Sequence, residues 1–407
     1  MKGNLLMSEI YLDNSATTKV NPKAAETAFK VMTEVYGNPS SIHDKGNSAA
    51  KLMLKARNDI IASFFGQQAL KKLPKIPGFL GGEEYGRLIF TSCGTESNNL
   101  AISSVIESCK IASPRIITSD SEHPAVLRCF EKWAEKGCDV VYLSTKNGVI
   151  DENELINAVN KNTVLVSIMY VNNETGAIYD LPKHFKTVKD ISPDIICHTD
   201  CVQAYQKIEV SPSKLNADMI TISGHKVHAP KGIGALWVKN ELIQKKRIIP
   251  ILNGGGQESG LRSGTENLPG IAAFAEAVNI NGSDKAHITF SEKVTPLRNL
   301  MIENLDPSVK VNQPLGDHVP HILSLTMPGQ KSQPVLNMLS RQGIYVSSGS
   351  ACSSHKNTVS HVLTAFGLSS SDADSTIRVS LDSDNTEEEI LTFCRALNET
   401  VKRLAKK

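Results

Sequence analysis

Short apolar runs that alternate with helical patterns constrain the fold of this chain more than any other feature. The predicted strands, each of four to eight residues, cover 88–91, 115–118, 139–143, 163–170, 195–199, 219–223 and 234–238. Strands of this length separated by helices are typical of a mostly parallel sheet covered on both faces. We therefore predict an α/β fold whose ligands bind at the carboxyl ends of the strands.

Composition and charge exclude several classes of protein. The 407 residues are 40% hydrophobic and 21% charged, which is typical of a globular chain. Lys and Arg number 44 against 42 Asp and Glu, and this balance argues against nucleic-acid or anionic-membrane binding as the main activity. No apolar run approaches the ~18 residues of a membrane span. Residues 1–10 contain no signal-peptide core, so we expect a cytoplasmic protein.

The cysteines and the domain pattern refine this prediction. None of the eight cysteines forms a CxxC pair, which excludes a finger-type or ribbon-type zinc site on spacing. We predict a large domain over 20–280 and a smaller α+β domain from 1–19 plus 281–407, with a cysteine-bearing loop at about 344–360. The Pro-, Gly- and Lys-containing segment 67–87 is expected to be an exposed insertion. An amphipathic helix is predicted over 386–407.

Two polar residues follow predicted strands in positions that suggest chemistry. Lys226 lies in SGHK directly after strand 219–223, where it is either a surface lysine or a Schiff-base lysine for a carbonyl cofactor. Asp200 follows strand 195–199 and is either a helix cap or an acid that pairs with a protonated pyridine nitrogen. In the second case Val202 faces the ring, and Gln203 donates to the ring hydroxyl.

Two further groups follow strands of the same predicted sheet. Residues 92–98 (SCGTESN) lead from a strand into a helix start, which is either an anion site or an ordinary helix cap. His123 lies between a strand and a helix, where it stacks on a flat ring, moves protons or simply caps the helix. Together these groups supply what pyridoxal 5'-phosphate (PLP) requires of a protein.

The chain resembles the group I cysteine desulfurases, the NifS/IscS-like branch of the class-V aminotransferase family of fold type I PLP enzymes. The motifs that carry the resemblance span nearly the whole chain in family order. They are YLDNSATT (11–18), GNPSS (37–41), FTSCGTESNNLAI (90–102), SEHPAV (121–126), VNNETG (171–176), HTDCVQA (198–204), SGHK (223–226), PKGIGAL (230–236), GGGQESGLRSGTEN (254–267) and SSGSACSS (347–354).

The resemblance implies a role for each residue that matches a family motif. Lys226 would hold the cofactor as a Schiff base, His123 would stack on the ring and move protons, and Asp200 would keep the pyridine nitrogen protonated. The remaining implied contacts are Gln203 to the ring oxygen, Gly94, Thr95, Ser223 and His225 to the phosphate, Thr265 to the phosphate from the other subunit, and Asn173 and Arg378 to the substrate.

Cys352 is the implied nucleophile, and its small, polar surroundings agree with this role because structural cysteines favour apolar surroundings. The implied reaction converts L-cysteine to L-alanine and leaves a persulfide on Cys352, from which sulfur passes to an iron–sulfur scaffold or another acceptor protein. The matched Thr265 implies a homodimer. Metal binding is implied as a family attribute, with no residue assigned as a ligand.

Other functions remain open at this point. A selenocysteine lyase shares several of the motifs, although Cys352 within SSGSAC favours the desulfurase. A simple aminotransferase is compatible with the fold alone. A catalytically silent member of the fold would require loss of Lys226, His123 or Asp200, and all three are present.

The sequence departs from the family pattern at four sites, one of which is a pair of adjacent residues. Cys93 replaces Gly or Ala before the phosphate-site pair, and Cys201 replaces Ala or Gly after the ring aspartate. Both are expected to pack silently in the core. His228-Ala229 stands where Tyr-Gly is usual after the lysine motif, and Asp382 replaces a Gly, which is expected to change the turn after 381.

Overall fold

The computed structural model describes residues 9–77, 79–348 and 359–404. Within these residues, strands β1 to β12 are Ile10–Tyr11, Arg87–Thr91, Arg115–Ser119, Asp139–Leu143, Thr163–Ser167, Ile196–Asp200, Met219–Ser223, Gly234–Val238, Lys310–Val311, Ile322–Thr326, Ile344–Tyr345 and Thr376–Ser380. Helices α1 to α14 are Pro22–Thr33, Asp44–Phe65, Gly94–Glu107, Pro124–Glu135, Glu152–Ala158, Leu181–Ile191, Pro212–Leu215, Asn240–Gln244, Leu268–Ile280, Ala286–Asn304, Ser332–Ser340, His361–Phe366, Ser370–Asp374 and Glu387–Leu404.

The large sheet contains every strand that the alternating pattern predicted. In the described chain its order is β2-β8-β7-β6-β5-β3-β4. Strand β8 is antiparallel to β2 and β7, and the other neighbours are parallel. The prediction of a mostly parallel α/β sheet is therefore confirmed. The predicted strand 163–170 ends earlier, at Ser167.

Helices cover both faces of this sheet, which explains why its central strands are apolar throughout. Every residue of β5 to β8 is buried. One face packs against α3 and α4 through side chains such as Val105 and Phe130. The other face packs against α2, α6 and α9 through Ile60, Phe185 and Phe274. Sheets covered on both faces leave mainly the strand ends and loops for polar chemistry.

A second group of elements has its own apolar core. Strand β10 pairs antiparallel with β9 and β12, and α10 and α14 pack beside them through Met301 and Phe393. The N-terminal strand β1 pairs in parallel with β11, and Leu12 joins the same core. These separate cores support the predicted division into a domain over 20–280 and one from 1–19 plus 281–407, which stays a prediction.

The N-terminal segment after β1 connects the first, middle and last parts of the chain. Leu12 accepts a backbone hydrogen bond from Ser380 at 2.7 Å, and Thr18 donates one to His225 at 2.9 Å. The hydroxyl of Ser380 also accepts from the backbone N–H of Ser15 at 2.9 Å. Residues 12–18 therefore lie between β12 and the loop after β7.

The prediction that segment 67–87 is an exposed insertion is wrong in part. It begins with a 3-10 helix, Gln67–Lys71, and ends where β2 begins at Arg87. Ala69, Leu73 and Leu80 are buried and join the cores on the two faces of the large sheet. The proline and glycine content predicted the irregular backbone correctly, but widely spaced apolar side chains in such a segment carry no periodic signal of burial.

No helix among the described residues has the length and apolar character needed to cross a membrane.

Candidate active site

A cavity of about 250 Å³ lies at the carboxyl ends of the central strands. It brings together residues that follow β2, β3, β5, β6 and β7, as expected for a sheet of this topology. The predicted residues that line it are Gly94, Thr95, His123, Asn173, Asp200, Gln203, Ser223, His225, Lys226 and Arg378. Thr265 is exposed and does not line the cavity, and Cys352 lies outside the described residues.

Asp200 is fixed at the end of β6 by two hydrogen bonds to its carboxylate. One oxygen accepts from the backbone N–H of Val202 at 2.9 Å, and the other accepts from the Asn98 amide at 2.7 Å. Only 7% of Asp200 is exposed. The carboxylate therefore has a defined orientation before any ligand binds, and a rigid acid of this kind suits a heterocyclic nitrogen.

Lys226 follows β7 in a 3-10 turn, and its amine points to the N-terminal segment. The ammonium donates to the carbonyl of Ala16 at 2.8 Å and to that of Ser15. Burial, followed by the neighbouring charges of Arg378 and Lys207, lowers the pKa of Lys226 to about 7. A large fraction of this amine is therefore neutral near pH 7, which is the form that reacts with a carbonyl group.

His123 is held by the start of the helix that follows it. Its Nδ1 accepts from the backbone N–H of Ala125 at 3.1 Å, and Pro124 occupies the first turn of α4, where no backbone N–H is needed. Burial lowers the pKa of His123, with the Asp200 carboxylate opposing and Lys226 reinforcing the effect. Because Nδ1 is an acceptor, the neutral ring carries its proton on Nε2.

The end of the cavity beside α3 provides groups that bind anions. Helix α3 starts at Gly94, and no side chain caps it. Its first backbone N–H groups and the positive end of its dipole are therefore available to an anion. A Cβ on Gly94 would lie 2.9 Å from Cγ2 of Val202, so only glycine allows this close approach. The buried Ser223 hydroxyl has no hydrogen-bond partner among the described residues. His225 contacts the hydroxyl of Thr17 through Nδ1 at 3.2 Å.

Arg378 approaches the same cavity from β12 of the smaller sheet. Its guanidinium donates to the carboxylate of Asp13 and to the carbonyl of Asn173, both at 2.9 Å. Its Nε is buried with no partner in the described chain. The guanidinium is therefore held firmly while part of its donor capacity remains for a ligand, and its planar fork suits a carboxylate.

Gln203 shows a contact that the sequence did not predict. Its amide nitrogen donates to the carbonyl of Ser15 at 2.9 Å, so the donor assigned to a ring hydroxyl is engaged by the N-terminal segment here. Its side-chain oxygen is buried and unpartnered within the described residues.

Two of the departures from the family pattern have different environments. Cys201 is fully buried, and burial raises the pKa of its thiol. The expectation of silent core packing is wrong for Cys93, which is partly exposed and lines the cavity. Cys93 occupies the N-cap position of α3, and a residue at the cap of a strand-end helix lies at the ligand-binding edge rather than in the core.

The other two departures contact each other. Nε2 of His228 lies 3.2 Å from Oδ2 of Asp382, and both side chains are largely buried. Burial opposes protonation of His228, but Asp382 outweighs it and raises the pKa of His228. Asp382 itself has a lowered pKa because His228 and Lys207 outweigh its burial. The ion pair connects the loop after Lys226 to the end of β12.

Several residues that shape the site were not assigned roles from the sequence. Asn98, Ser15 and Asp13 hold Asp200, Lys226 and Arg378, respectively, and each lies within a matched motif. Glu122 is fully buried beside His123, and one of its oxygens accepts from Ser119 and from the backbone of Met169. Burial raises the pKa of Glu122 to about 8. Motif membership was the available signal, but contacts across 100 to 365 residues of chain are invisible to local patterns.

The cavity fits PLP in charge, shape and donor set. Uncapped N–H groups of α3 and the unpartnered Ser223 hydroxyl suit a phosphate. Asp200 suits a protonated ring nitrogen, and Val202 with Met169 supplies apolar surface for a flat ring. The amine of Lys226 suits an aldehyde. Among the described residues, His, Cys, Asp and Glu side chains form no group that could hold a metal ion.

Comparison with known proteins agrees with this site. The aminotransferase class-V family matches residues 10–393, and the chain belongs to this family. A cysteine desulfurase from Trichormus azollae is 39% identical over 98% of this chain and 94% of its own length. A solved structure titled as a NifS-like protein has 34% identity and a TM-score of 0.85, and the match covers 97% of this chain and 100% of that one. A structure titled SspA in complex with cysteine has 30% identity and a TM-score of 0.76, and the match covers 93% and 100% of the two chains.

Family membership settles the cofactor and the fold. The family and the desulfurase relatives depend on PLP, so the predicted cofactor is confirmed, as is the fold type I architecture. The chain is thus a PLP-dependent enzyme of the cysteine desulfurase group.

Proposed function

We propose that this protein converts L-cysteine to L-alanine, keeps the sulfur as a persulfide on Cys352, and passes it to an acceptor protein. An iron–sulfur scaffold or another persulfide acceptor would take the sulfur. The observation that carries the proposal is the convergence of Lys226, Asp200, His123 and Arg378 on one cavity. Full-length similarity to a cysteine desulfurase and to a structure with cysteine supports the same substrate.

The cofactor side of the cavity binds and orients PLP. When bound, PLP supplies an electron sink for negative charge that develops on the substrate. Lys226 attaches it through a neutral amine, and the lowered pKa of Lys226 favours that form. Asp200 would hold the ring by pairing with its nitrogen, and Ser223 and His225 would bind the phosphate together with Gly94 and Thr95.

The substrate side of the cavity binds the amino acid. Arg378 pairs with the substrate carboxylate, with its guanidinium held by Asp13 and Asn173. Asn173 has a buried side-chain oxygen without a partner in the described residues, which suits a substrate N–H. Neutral His123 would stack on the ring, and it would move protons through Nε2 because its Nδ1 is engaged by Ala125.

The chain segment that contains Cys352 starts and ends beside this cavity. Ser347 exchanges two backbone hydrogen bonds with Arg378, and Ser360 donates a hydrogen bond to Glu174, the neighbour of Asn173. Cys352 is five residues after Ser347, so an extended chain reaches roughly 17 Å from that point. This reach supports attack by the Cys352 thiolate on the substrate sulfur.

Transfer of sulfur from cysteine to Cys352 conserves atoms and electrons. An S–S bond forms as the C–S bond of cysteine breaks, and the β-carbon keeps the bonding pair and takes a proton. The products are alanine and the Cys352 persulfide, so no external oxidant or reductant is required.

We further propose that the protein is a cytoplasmic homodimer in which Thr265 of the partner subunit completes the phosphate site. Thr265 is exposed on its own protomer and does not line that protomer's cavity. Phe29, Tyr36 and Ile42 are 60%, 66% and 96% exposed, and apolar side chains this exposed are typical of protein interfaces. The described cysteines are free thiols, which supports a reducing compartment.

An anaerobic assay with L-cysteine and L-selenocysteine tests the proposal. Wild-type protein should release alanine from cysteine and carry one persulfide, and Cys352→Ser should abolish both. Activity confined to selenocysteine would instead establish a selenocysteine lyase. Cysteine turnover that survives Cys352→Ser would contradict the persulfide route. Analytical sedimentation measures whether the protein is a dimer. The affinity of Thr265→Ala for the cofactor, compared with that of wild type, tests whether Thr265 contributes to the shared phosphate site.

A further inference from the structure

Ser360 and Glu174 form a buried contact close to the point where the described chain resumes after Cys352. The Ser360 hydroxyl donates to Oε2 of Glu174 at 2.6 Å, and the two residues are 9% and 1% exposed. This distance is at the short end of the range for hydrogen bonds between oxygen atoms, which indicates a close and well-aligned contact.

The same hydroxyl also starts the helix that follows. It accepts from the backbone N–H of Leu363 at 3.3 Å, so Ser360 is the N-cap of α12. Ser360 thereby fixes two things with one oxygen: the first turn of α12 and the attachment of that turn to Glu174. A residue that only capped the helix would need no carboxylate partner.

Glu174 belongs to a turn that also holds the substrate side of the cavity. The side-chain oxygen of Asn172 accepts from the backbone N–H groups of Glu174 and Thr175, both at 2.9 Å. Asn173 lies between Asn172 and Glu174 in the chain, and its carbonyl accepts a hydrogen bond from Arg378. The carboxylate that binds Ser360 is therefore rigidly connected to the guanidinium in the cavity.

A second contact attaches α12 to the residue that precedes His123. Nε2 of His361 donates to the carbonyl of Glu122 at 3.0 Å, and Glu122 directly precedes His123. The start of α12 thus contacts the turn behind Arg378 through Ser360 and the loop behind His123 through His361.

We propose that Ser360 and Glu174 are positioning residues that set where the chain after Cys352 returns to the cavity, and so set the rate of sulfur transfer. His361 contributes through its bond to Glu122. This role rests on the proposed function. Neither Ser360 nor Glu174 lines the cofactor cavity, and Asn172 holds the turn around Asn173 independently of Ser360. We therefore expect substitutions at Ser360 to slow persulfide formation and to leave cofactor and amino-acid binding unchanged.

Two substitutions at Ser360, made in the holoenzyme, separate its hydrogen bond to Glu174 from its role as the N-cap of α12. Both Asn and Asp cap helices as well as Ser does. Ser360→Asn keeps a donor for Glu174, whereas Ser360→Asp places a second carboxylate against it. We expect Ser360→Asp to slow persulfide formation at least tenfold, and Ser360→Asn to stay within about threefold of wild type.

Three measurements make the comparison. Mass spectrometry of quenched anaerobic single turnovers gives the rate of persulfide formation on Cys352. The visible spectral change on adding L-alanine gives the affinity of the site for an amino acid without a sulfur atom, and thermal unfolding reports the fold. Affinity and unfolding temperature should match wild type in both variants.

His361→Ala keeps the test decisive if Ser360→Asp does not fold. His361 is on the surface, and loss of its single hydrogen bond should slow persulfide formation about threefold.

Normal persulfide formation in Ser360→Asp and His361→Ala, or equal losses in Ser360→Asn and Ser360→Asp, would overturn the positioning role alone. Weakened L-alanine binding in Ser360→Asp would also overturn it, because the contact would then act through Arg378. Absence of any persulfide in wild-type protein would overturn the proposed function, and this inference with it.

Discussion

The two sides of the cavity are assembled in different ways. On the cofactor side, Asp200 and Lys226 follow neighbouring strands of one sheet, and β6 and β7 fix their spacing through the pairing of His198 with Met219. On the substrate side, Arg378 comes from a different sheet and is held by Asp13 and Asn173, 365 and 205 residues away in sequence. The first side is built by local strand order and the second by long-range packing, so substitutions should affect cofactor binding and substrate binding separately.

The largest effect should come from Lys226. Replacing it with Ala removes the amine that attaches the cofactor, and we expect desulfuration to fall by about 10³-fold or more. Lys226→Arg is the matched control because it keeps a positive charge but cannot react as a neutral amine. Sulfide and alanine release, with the visible cofactor band, provide the measurement. A tenth of wild-type activity in either variant would rule out the attachment role.

Asp200→Asn should have the next largest effect. An amide cannot stabilise a protonated ring nitrogen, and kcat should fall by about 10²-fold with a shift of the visible band. Asn98→Ala is the control, since it removes one of the two donors that hold the carboxylate and should cost only severalfold. Equal losses of kcat in Asp200→Asn and Asn98→Ala would mean that the orientation of the Asp200 side chain matters and its negative charge does not.

Arg378→Lys should separate the two sides of the cavity. A lysine cannot reproduce the planar fork, so KM for L-cysteine should rise about 10- to 100-fold, while the cofactor band stays as in wild type. Steady-state kinetics and the absorption spectrum check this directly. Loss of the cofactor band would show that the substrate side also shapes the cofactor side.

The smallest effect should be on stability, from the ion pair between His228 and Asp382 that links the loop after Lys226 to the end of β12. The raised pKa of His228 means that the pair stabilises the fold fully below about pH 6.5, the ordinary His value, and less as pH rises through the folded pKa. His228→Gln should therefore lose about 0.5–1 kcal/mol at pH 5.5 and almost nothing near pH 9. Urea unfolding from pH 5 to 9 measures this difference, since Asp382, with its lowered pKa, stays ionised throughout.

Asp382→Asn is the matched variant for the ion pair. It removes the partner carboxylate and should reproduce the pH dependence of His228→Gln, apart from the effect on the neighbouring Lys207. A stability loss in His228→Gln that is the same at every pH would indicate packing instead of charge.

The sequence predicted the cofactor side of the cavity better than the substrate side. The strands and the positions of Asp200, Ser223 and Lys226 at their ends follow from short-range apolar patterns, and the structure places them as expected. The contacts of Asp13, Ser15 and Asn98 could not be predicted, because each depends on how distant segments pack. The pairing of His228 with Asp382 was hidden for the same reason, although both residues were noticed as departures from the family pattern.

The segment 67–87 shows a different limit. Its glycines and prolines predicted an irregular backbone, but Leu73 and Leu80 are buried through contacts with residues that are distant in sequence, and no local pattern reveals such contacts.

The position of residues 12–18 between β12 and the Lys226 loop has a consequence for biosynthesis. These residues are synthesised long before one of their partners, Ser380, which lies 365 residues after Ser15 in the chain. The large sheet can form while the chain is still being made, but the carbonyl groups that receive the Lys226 amine find their final place only after β12 has emerged. The nascent chain therefore cannot complete its catalytic centre until β12, near the end of the described chain, has been made.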